Sequence, residues 1–345
     1  MSWPEARSEQ FRKMLAGRAV CVTGGAGFIG GHLAEALLGL GARVAIIDDL
    51  SNSDADHVAG LVDRFPGRCR FVFSSILEPE GLREAVTGCD IVFHLAAMGS
   101  VPRSIKDPER AMEVNLSGTL RVAEAARDAG AARWVYSASS SAYGDEPGLP
   151  KVETSLPRPV SPYAVSKLAG EYIVRAWAVT YGLPGISLRY FNVFGPRQSP
   201  DSAYAAVIAA FLKALTTGGR PTIYGDGTQT RDFTPVQNVV YANLLAACLP
   251  RDPQGEVVNI GLGCRTSLLE LLEKLAALTG REGVEPIFKP ARQGDVLHSQ
   301  ADITRARSVI GYEPIVTLDQ GLSETVEWFS SDRPDESQLR AVMDG

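Results

Sequence analysis

Short apolar runs, rich in β-branched residues, alternate with longer amphipathic stretches through the first half of the chain. The stretches between the runs predict helices at 29–38, 81–86, 113–129 and 166–180. Continuous apolar runs are typical of strands buried on both faces, and strands separated by helices form parallel sheets. The pattern therefore predicts an α/β fold, a Rossmann-type doubly wound parallel sheet. The predicted strands cover residues 19–23, 43–48, 69–73, 90–96, 133–139 and 185–191.

The regular alternation of strands and helices ends after the sixth predicted strand. Gly- and Pro-rich loops follow, mixed with short helices at 205–216 and 267–278. We expect residues 191–330 to form a smaller α/β lobe above the carboxyl edge of the sheet, where open α/β sheets bind ligands. A helix-then-strand segment, residues 236–260, is predicted to return to the main sheet. It would thereby complete the dinucleotide-binding domain that begins with residues 18–190.

The first 17 residues have two interpretations. An amphipathic helix would carry Phe11, Met14 and Leu15 on one side, and a frayed tail is an equally good interpretation of so short a segment. The stretch lacks the continuous apolar core of a signal peptide, and no apolar run in the chain has the length of a membrane span. We therefore expect a cytoplasmic protein without a membrane partner.

Composition and charge exclude several classes of function. The 345 residues include 40 acidic and 34 basic side chains, which give a net charge of -6. Without a basic run or an interleaved aromatic stripe, a nucleic-acid partner is not expected. The five cysteines are scattered, form no CxxC pair and have no histidine cluster beside them. This pattern predicts reduced core thiols and no metal site.

A glycine-rich run, Thr23-Gly24-Gly25-Ala26-Gly27-Phe28-Ile29-Gly30, follows the first predicted strand directly. Glycine allows a tight turn, lets backbone amides approach a pyrophosphate and permits close packing of the next helix. The second strand ends in Asp48, about 20 residues further on, where a carboxylate accepts hydrogen bonds from ribose hydroxyls and repels a 2′-phosphate. Asp49 adds to that repulsion. These coinciding features predict NAD rather than NADP, bound by Gly24, Gly27, Phe28, Ile29, Gly30 and Asp48.

A candidate catalytic pair follows Ser161-Pro162, which is typical of a helix cap followed by proline at the first helical position. Tyr163 and Lys167 then lie at i and i+4 on one helix face. A tyrosine with a pKa of about 10 is a poor base at neutral pH, but a cation within ~4–6 Å lowers that value. Ser139, at the end of the fifth strand, would lie at the same sheet edge, with Ser140 and Ser141 as rival hydroxyls. His94 is interpreted as a buried hydrogen-bonding residue.

Several motifs in this order resemble the extended short-chain dehydrogenase/reductase family, specifically its nucleoside-diphosphate-sugar epimerases. The resemblance extends from residue 18 to about residue 329 and rests on TGGAGFIG, Asp48, HLAA, VNLSGT, SSSAYG, SPYAVSK and RYFNVFG. It implies a Tyr163–Lys167–Ser139 catalytic group. It also adds Ser75, Ile76, Ala96, Ala97, Asn115 and Tyr190 to the expected NAD contacts. Ser75 stands where many relatives carry an aspartate that contacts adenine.

The resemblance also restricts the reaction. Related dehydratases carry an Asp-Glu pair, and related decarboxylases a Glu, at positions occupied here by Ser140 and Ser141. Without these carboxylates, elimination lacks its general acid and base. Reversible oxidation at C4 of a UDP-sugar, which inverts that carbon, is the expected reaction. The expected substrate contacts are Ser100, Arg103, Ser139, Ser140, Ser141, Asn192, Tyr224, Arg231, Arg292, Asp295 and Ser299.

Ser299 is the most informative position for substrate choice. Similar epimerases restricted to plain hexoses have a bulky tyrosine there, whereas those that accept N-acetyl sugars have a small residue. Two long stretches, SSSAYGDEPGLPKVE and NVFGPRQSPDSAYAAVI, also resemble UDP-N-acetylglucosamine 4-epimerases. We expect interconversion of UDP-N-acetylglucosamine and UDP-N-acetylgalactosamine or of their uronic acids. UDP-glucose or UDP-glucuronate epimerisation, decarboxylation or dehydration, and non-catalytic NAD binding remain alternatives. The family commonly dimerises, here through helices 113–129 and 166–180.

Overall fold

Parallel strands form the centre of the molecule in the structure, a computed structural model that describes residues 3–199, 207–291 and 296–331. The main sheet contains β1 Ala19–Thr23, β2 Arg43–Asp48, β3 Cys69–Phe73, β4 Ile91–His94, β5 Arg133–Ser139, β6 Gly185–Tyr190 and β11 Gln254–Ile260. Their order is β11-β6-β5-β4-β1-β2-β3, and every neighbouring pair is parallel. This confirms the α/β, Rossmann-type fold.

Helices cover the sheet, and their apolar sides enter two buried clusters. The predicted helix over 113–129 begins as a π-helical turn, Glu113–Ser117, and continues as a regular α-helix. The helices associated with the sheet are α1 Glu5–Leu15, α2 Phe28–Gly39, α3 Asp56–Arg64, α4 Pro79–Val86, α5 Val101–Lys106, α6 Pro108–Met112, α7 Gly118–Asp128, α8 Pro162–Tyr181, α10 Val236–Ala247 and α12 Thr304–Ile310.

The start of α8 follows directly from local sequence. The Ser161 hydroxyl accepts a hydrogen bond from the Ala164 amide at 3.2 Å, and Pro162 occupies the first turn. Proline is favoured there because its ring fixes φ and its missing N–H would have had no partner. The helix ends at Gly182, whose φ of +68° is left-handed. The predicted cap is confirmed, and the helix starts four residues before the predicted 166.

A second group of elements has its own apolar core, centred on Phe211, Leu212, Leu271 and Leu275. Within the described ranges, three two-stranded sheets accompany it: β7 Val193–Phe194 with β10 Thr234–Pro235, β9 Thr230–Arg231 with β12 Thr266–Ser267, and β8 Thr222–Tyr224 with β13 Ile287–Lys289. Residues 301–312 depart from the predicted lobe, because their apolar side chains pack into the core of the main sheet. The elements of this lobe are β7 Val193–Phe194, α9 Val207–Thr216, β8 Thr222–Tyr224, β9 Thr230–Arg231, β10 Thr234–Pro235, β12 Thr266–Ser267, α11 Leu268–Leu278, β13 Ile287–Lys289 and α13 Leu318–Ser330.

The N-terminal segment is helical as α1. Phe11 and Leu15 are fully buried, whereas Met14 is exposed, so the expectation for Met14 is wrong. The helix turns by about 100° per residue, which places position 14 away from the face shared by 11 and 15. Trp3 adds a stacked contact with Tyr241 at 5.9 Å between ring centroids. These aromatic contacts hold the segment on α10.

The cysteines are free, and four of them are buried. Cys264 is exposed, so the prediction of a core thiol is wrong at this position. It lies in the turn before β12, where neighbouring elements leave it uncovered. Within the described ranges, no helix has the length and apolar character needed to cross a membrane. The same ranges contain no group of three or more His, Cys, Asp or Glu side chains suited to hold a metal ion.

Candidate active site

The glycine-rich turn between β1 and α2 packs so closely on neighbouring backbone that side chains would not fit at two of its glycines. Gly24 has a φ of +70°, and a Cβ added there would lie 2.6 Å from the Ala96 amide nitrogen. A Cβ at Gly30 would lie 2.1 Å from the Gly24 carbonyl oxygen. The helix starts at Phe28 with Gly27 as its cap, and Ile29 follows in the first turn. Unpaired amides at a helix start attract anions, so this turn fits a pyrophosphate.

A cleft opens beside this turn along the carboxyl edge of the sheet. Asp48 ends β2, and its carboxylate accepts hydrogen bonds from the Ala26 and Leu50 amides at 3.0 and 2.9 Å. Burial raises the pKa of Asp48, while these amides oppose that shift. The carboxylate is therefore fixed at the rim of the cleft. The predicted cofactor residues that line the cleft are Gly24, Gly27, Asp48, Ser75, Ile76, Ala96 and Ala97.

Arg103 lies in this cleft, although we expected it beside the sugar. Its guanidinium donates a hydrogen bond to the side-chain oxygen of Asn52 across the opening. Ser100 caps α5, because its hydroxyl accepts from the Arg103 amide at 3.3 Å. Arg103 therefore lines the cleft, and its contact with the sugar stays a prediction. Asn52 was missed, although the polar run directly after Asp48 was a usable signal.

Asn115 and Tyr190 have their polar groups engaged by the protein itself. The Asn115 amide accepts from the Met98 amide at 2.7 Å and donates to the Ser166 hydroxyl at 3.0 Å. The Tyr190 hydroxyl donates to the Asn243 side chain at 3.1 Å. Both residues are buried. They connect the elements around the cleft, and direct contact with NAD stays a prediction.

His94 is a buried histidine whose two ring nitrogens both have hydrogen-bond partners, in agreement with its interpretation from sequence. Its Nε2 lies 2.9 Å from the Thr119 hydroxyl, which donates its own proton to the Asn115 carbonyl. Nε2 must therefore carry the proton, and Nδ1 accepts from the Thr23 hydroxyl at 2.8 Å. Burial lowers the pKa of His94 well below its ordinary value. The ring is neutral and occupied at both nitrogens.

Tyr163 and Ser139 meet at the carboxyl edge of the sheet. The Tyr163 amide donates to the Ser104 hydroxyl at 3.0 Å, which fixes the first turn of α8. The Ser139 oxygen accepts from the amide and hydroxyl of Ser141 at 3.2 and 2.9 Å, which leaves the Ser139 proton for another acceptor. Burial raises the pKa of Tyr163, and a hydrogen bond with Ser139 opposes that rise. The two hydroxyls can therefore engage one substrate oxygen together.

Lys167 is almost completely buried one turn further along α8. Its ammonium lies 4.5 Å from the centroid of the Tyr136 ring. Burial lowers the pKa of Lys167 from 10.5 to about 7, and the Glu171 carboxylate opposes this shift. Burial dominates the pKa of Tyr163 and raises it, and the lowering expected from nearby positive charge stays a prediction.

The lobe brings Ser299 next to Arg231. The Ser299 amide donates to the Thr230 carbonyl at 3.0 Å, so the segment before residue 300 extends β9. The Arg231 guanidinium donates to the carbonyls of Thr230 and Leu297 at 2.9 and 3.2 Å. These contacts place a small side chain and a cation on neighbouring positions of the lobe.

Two further predicted substrate residues of the lobe, Asn192 and Tyr224, lie at the ends of strands. Asn192 follows β6 and is exposed, and its carbonyl accepts from the Thr234 amide. Tyr224 ends β8, and its carbonyl accepts from the Gln229 side chain at 2.5 Å. Arg292 and Asp295 lie outside the described residues. Their contacts with a nucleotide stay predictions.

Comparison with known proteins identifies the family. The model of the NAD dependent epimerase/dehydratase family matches residues 20–261. A UDP-glucose 4-epimerase of Mycolicibacterium smegmatis is 40% identical over 319 residues, which cover 89% of this chain and 97% of that protein. A UDP-N-acetyl-alpha-D-glucosaminuronate decarboxylase of Bacillus cytotoxicus is 33% identical, covering 89% of this chain and 96% of that protein.

Solved structures agree with this result. The UDP-N-acetylglucosamine 4-epimerase of Methanobrevibacter ruminantium M1, solved with UDP-N-acetylmuramic acid, superposes with a TM-score of 0.86 at 35% identity. The match covers 92% of this chain and 99% of that chain. The chain therefore belongs to the NAD-dependent epimerase/dehydratase family, as an extended short-chain dehydrogenase/reductase of the nucleotide-sugar epimerase type whose cofactor is NAD.

Proposed function

We propose that this protein is a 4-epimerase that interconverts UDP-N-acetylglucosamine and UDP-N-acetylgalactosamine, or their uronic acids, through a 4-keto intermediate. The observation that carries the proposal is the meeting of Tyr163 and Ser139 at the sheet edge, beside a buried Lys167. Ser140 and Ser141 occupy the adjacent positions, where elimination chemistry would need carboxylates.

The cleft residues fit NAD. The Gly24 turn and the start of α2 would hold the pyrophosphate, because exposed amides and the helix dipole favour anions. Asp48 at the rim would bind the adenosine ribose, with Ser75 and Ile76 lining the adenine end. When held by these residues, the cofactor would supply reversible hydride exchange with C4 of the sugar.

The protein supplies the proton transfers. Tyr163 as phenolate removes the proton of the C4 hydroxyl, while the Ser139 hydroxyl donates a hydrogen bond to the same oxygen. The Lys167 ammonium stabilises the phenolate by its charge. After the keto sugar has turned in the site, Tyr163 returns its proton to the C4 oxygen. The tyrosine therefore ends each cycle in its starting state.

The lobe residues support a UDP-sugar. A guanidinium such as that of Arg231 can bind two phosphate oxygens at once. Asn192, Tyr224, Arg292 and Asp295 are the further proposed nucleotide contacts. Ser299 beside Arg231 is small enough to leave room for an acetamido group at C2 of the sugar. The structural similarity to a UDP-N-acetylglucosamine 4-epimerase also favours an acetylated substrate.

The second candidate is UDP-glucose 4-epimerisation, because the Mycolicibacterium smegmatis relative is named for that activity. A panel assay separates the two. The purified protein is incubated with UDP-N-acetylglucosamine, UDP-glucose, UDP-glucuronate and the acetylated uronate, without added cofactor, and the products are identified by NMR. We expect C4 epimers of the acetylated sugars. Turnover of UDP-glucose without either acetylated sugar would contradict the substrate proposal.

Ser299→Tyr tests the proposed selectivity. A phenol ring beside C2 should reduce kcat/KM for acetylated sugars by about 5- to 150-fold, since a steric misfit costs about 1–3 kcal/mol. The matched control is Ser308→Tyr, which places the same ring on exposed α12. Equal losses for acetylated and plain sugars in Ser299→Tyr would contradict the role of this position.

We also propose a homodimer formed through α7 and α8. Five large apolar side chains on these helices are between 41% and 63% exposed: Leu120, Val165, Tyr172, Val179 and Tyr181. Positions 165, 172 and 179 are seven residues apart and therefore share one face of α8, and an exposed apolar face is typical of a protein interface. The double variant Val165→Asp, Val179→Asp should sediment as a monomer at a concentration where the unchanged protein is a dimer. An unchanged sedimentation coefficient would place the interface elsewhere.

A further inference from the structure

A buried ion pair lies one helical turn beyond Lys167. The Arg189 guanidinium donates two hydrogen bonds to the Glu171 carboxylate, from Nε at 2.8 Å and from Nη2 at 2.7 Å. The two side chains are only 3% and 4% exposed. Both charges have therefore been removed from water, and they are paired with each other by a bidentate contact.

A buried ion pair of this kind contributes little to the stability of the fold. Removing two charges from water costs several kcal/mol, and well-packed apolar residues often replace a buried pair without loss. The positions of the two residues indicate another role. Glu171 is four residues after Lys167 on the same face of α8, and Arg189 directly precedes Tyr190 on β6. The pair therefore connects the catalytic helix with the strand beneath it.

Several charged and titratable groups surround Lys167, and among them Glu171 is the one that favours its charged form. Tyr163 precedes Lys167 on α8, the Tyr136 ring faces its ammonium from β5, and His94 lies nearby on β4. His94 is neutral, with both ring nitrogens occupied. Glu171 is the carboxylate that opposes the lowering of the Lys167 pKa.

Arg189 faces Glu171 and also the ring of Tyr143, which lies 4.7 Å from its guanidinium carbon. Burial raises the pKa of Glu171, whereas Arg189 and then Lys167 lower it. The arginine therefore favours the charged carboxylate and fixes its direction through two hydrogen bonds. Glu153 lies in the same neighbourhood and is held by the Asn259 amide at 2.7 Å.

We propose that Glu171 and Arg189 are positioning residues that keep Lys167 charged beside Tyr163, a role that rests on the proposed epimerase function. Arg189 fixes the Glu171 carboxylate through two hydrogen bonds. The negative charge of Glu171 in turn favours the protonated form of Lys167. Without the negative charge, Lys167 loses its proton more readily. A neutral Lys167 does not stabilise the Tyr163 phenolate, so less of the enzyme carries its base.

The first test is Glu171→Gln in the NAD-loaded protein. Phenolate formation at Tyr163 is followed by ultraviolet difference absorbance against Tyr163→Phe, and turnover is measured over the same pH range. We expect the Tyr163 titration and the acid limb of kcat to move up by about one pH unit. This corresponds to an approximately 10-fold lower kcat at neutral pH, with KM nearly unchanged.

The second test separates this role from a structural one. Glu171→Gln leaves Arg189 buried without its partner and can unfold the protein. The double variant Glu171→Met, Arg189→Met removes both charges, so it should fold and retain NAD. We expect it to show the same upward shift in the Tyr163 titration. A double variant with normal titration and kcat would overturn the proposal.

Asp90→Asn is the matched charge control. Asp90 pairs with Arg18 at 3.1 Å and precedes β4, so it lies at the opposite, amino edge of the sheet. Its loss should leave the Tyr163 titration and kcat unchanged, and an equal shift would show that Glu171 has no specific effect. If the unchanged protein epimerises no UDP-sugar while the Tyr163 titration responds to Glu171, the proposed function fails and the electrostatic role stands.

Discussion

The main sheet and the smaller lobe hold their candidate functional residues in different ways. Ser139, Tyr163 and Lys167 lie at the end of a strand and in the first turns of a capped helix, supported by parallel pairing across the sheet. Asn192, Tyr224 and Ser299 lie on two- or three-residue strands and on loops. Groups on regular elements have fixed geometry, whereas loop positions change with little effect on the fold.

This difference suggests a division of tasks. In the proposed function, the sheet edge carries the proton transfers, which need precise distances, and the lobe carries recognition of the sugar. Single substitutions can therefore remove the chemistry and leave the lobe intact, or the reverse. The following four predictions test this separation.

Tyr163→Phe should have the largest effect on the sheet side. We expect kcat to fall by about 10²–10⁴-fold, the usual contribution of a general acid–base group. Phenylalanine fills the same space, so bound NAD and the thermal midpoint should be unchanged. Tyr241→Phe is the control, because this ring packs against α1 and lies on α10. Activity near the normal value in Tyr163→Phe would exclude the tyrosine as the base.

Leu271→Ala should weaken the lobe alone. Leu271 is fully buried in the lobe core, and such a truncation costs about 2–5 kcal/mol. We expect UDP-sugar binding to fall in calorimetry while NAD stays bound. Leu33→Ala, at a fully buried position on α2, is the matched variant of the main sheet and should instead release NAD. If both variants lost NAD equally, the two regions would not be separable.

Lys167→Met should abolish turnover and yet stabilise the protein by about 1–3 kcal/mol at neutral pH, since a buried cation is removed. The folded-state pKa of Lys167 is about 7, against 10.5 ordinarily, so between these values the unfolded chain binds more protons. The unchanged protein should therefore gain stability from pH 7 upward. Urea midpoints should differ most below pH 7 and converge toward pH 10. A constant difference would contradict the lowered pKa.

Lys274→Met should have the smallest effect. Its ammonium lies 2.7 Å from Asp319 and joins α11 to α13, but both side chains are well exposed. Exposed ion pairs contribute less than about 1 kcal/mol, and salt screens them. We expect a small loss in the urea midpoint that disappears at high ionic strength. A larger loss would mean that the lobe depends on its surface charges.

Much of the sheet side could be predicted from sequence because its signals are local. The strand β1, the glycine turn, Asp48 and the Ser161 cap depend on residues close together in the chain. The contact of Arg103 with Asn52 could not be predicted, because it joins α5 to a loop that is distant in the chain. The lowered pKa of Lys167 could not be predicted from sequence either, because it is caused by burial, which depends on the tertiary structure. The contact of Ser299 with Thr230 joins distant segments and has no local signal.

Strand β11 has a consequence for the synthesis of the protein. Residues 254–260 pair with β6, so this edge of the sheet stays open until the intervening residues 191–253 have been translated. At about 5–20 residues per second, the delay after β6 lasts several seconds. During this time β6 presents unpaired amides and carbonyls, which other nascent chains can bind. A chaperone that covers this edge would therefore raise the yield of the protein more than it would for a fold whose sheet is completed in chain order.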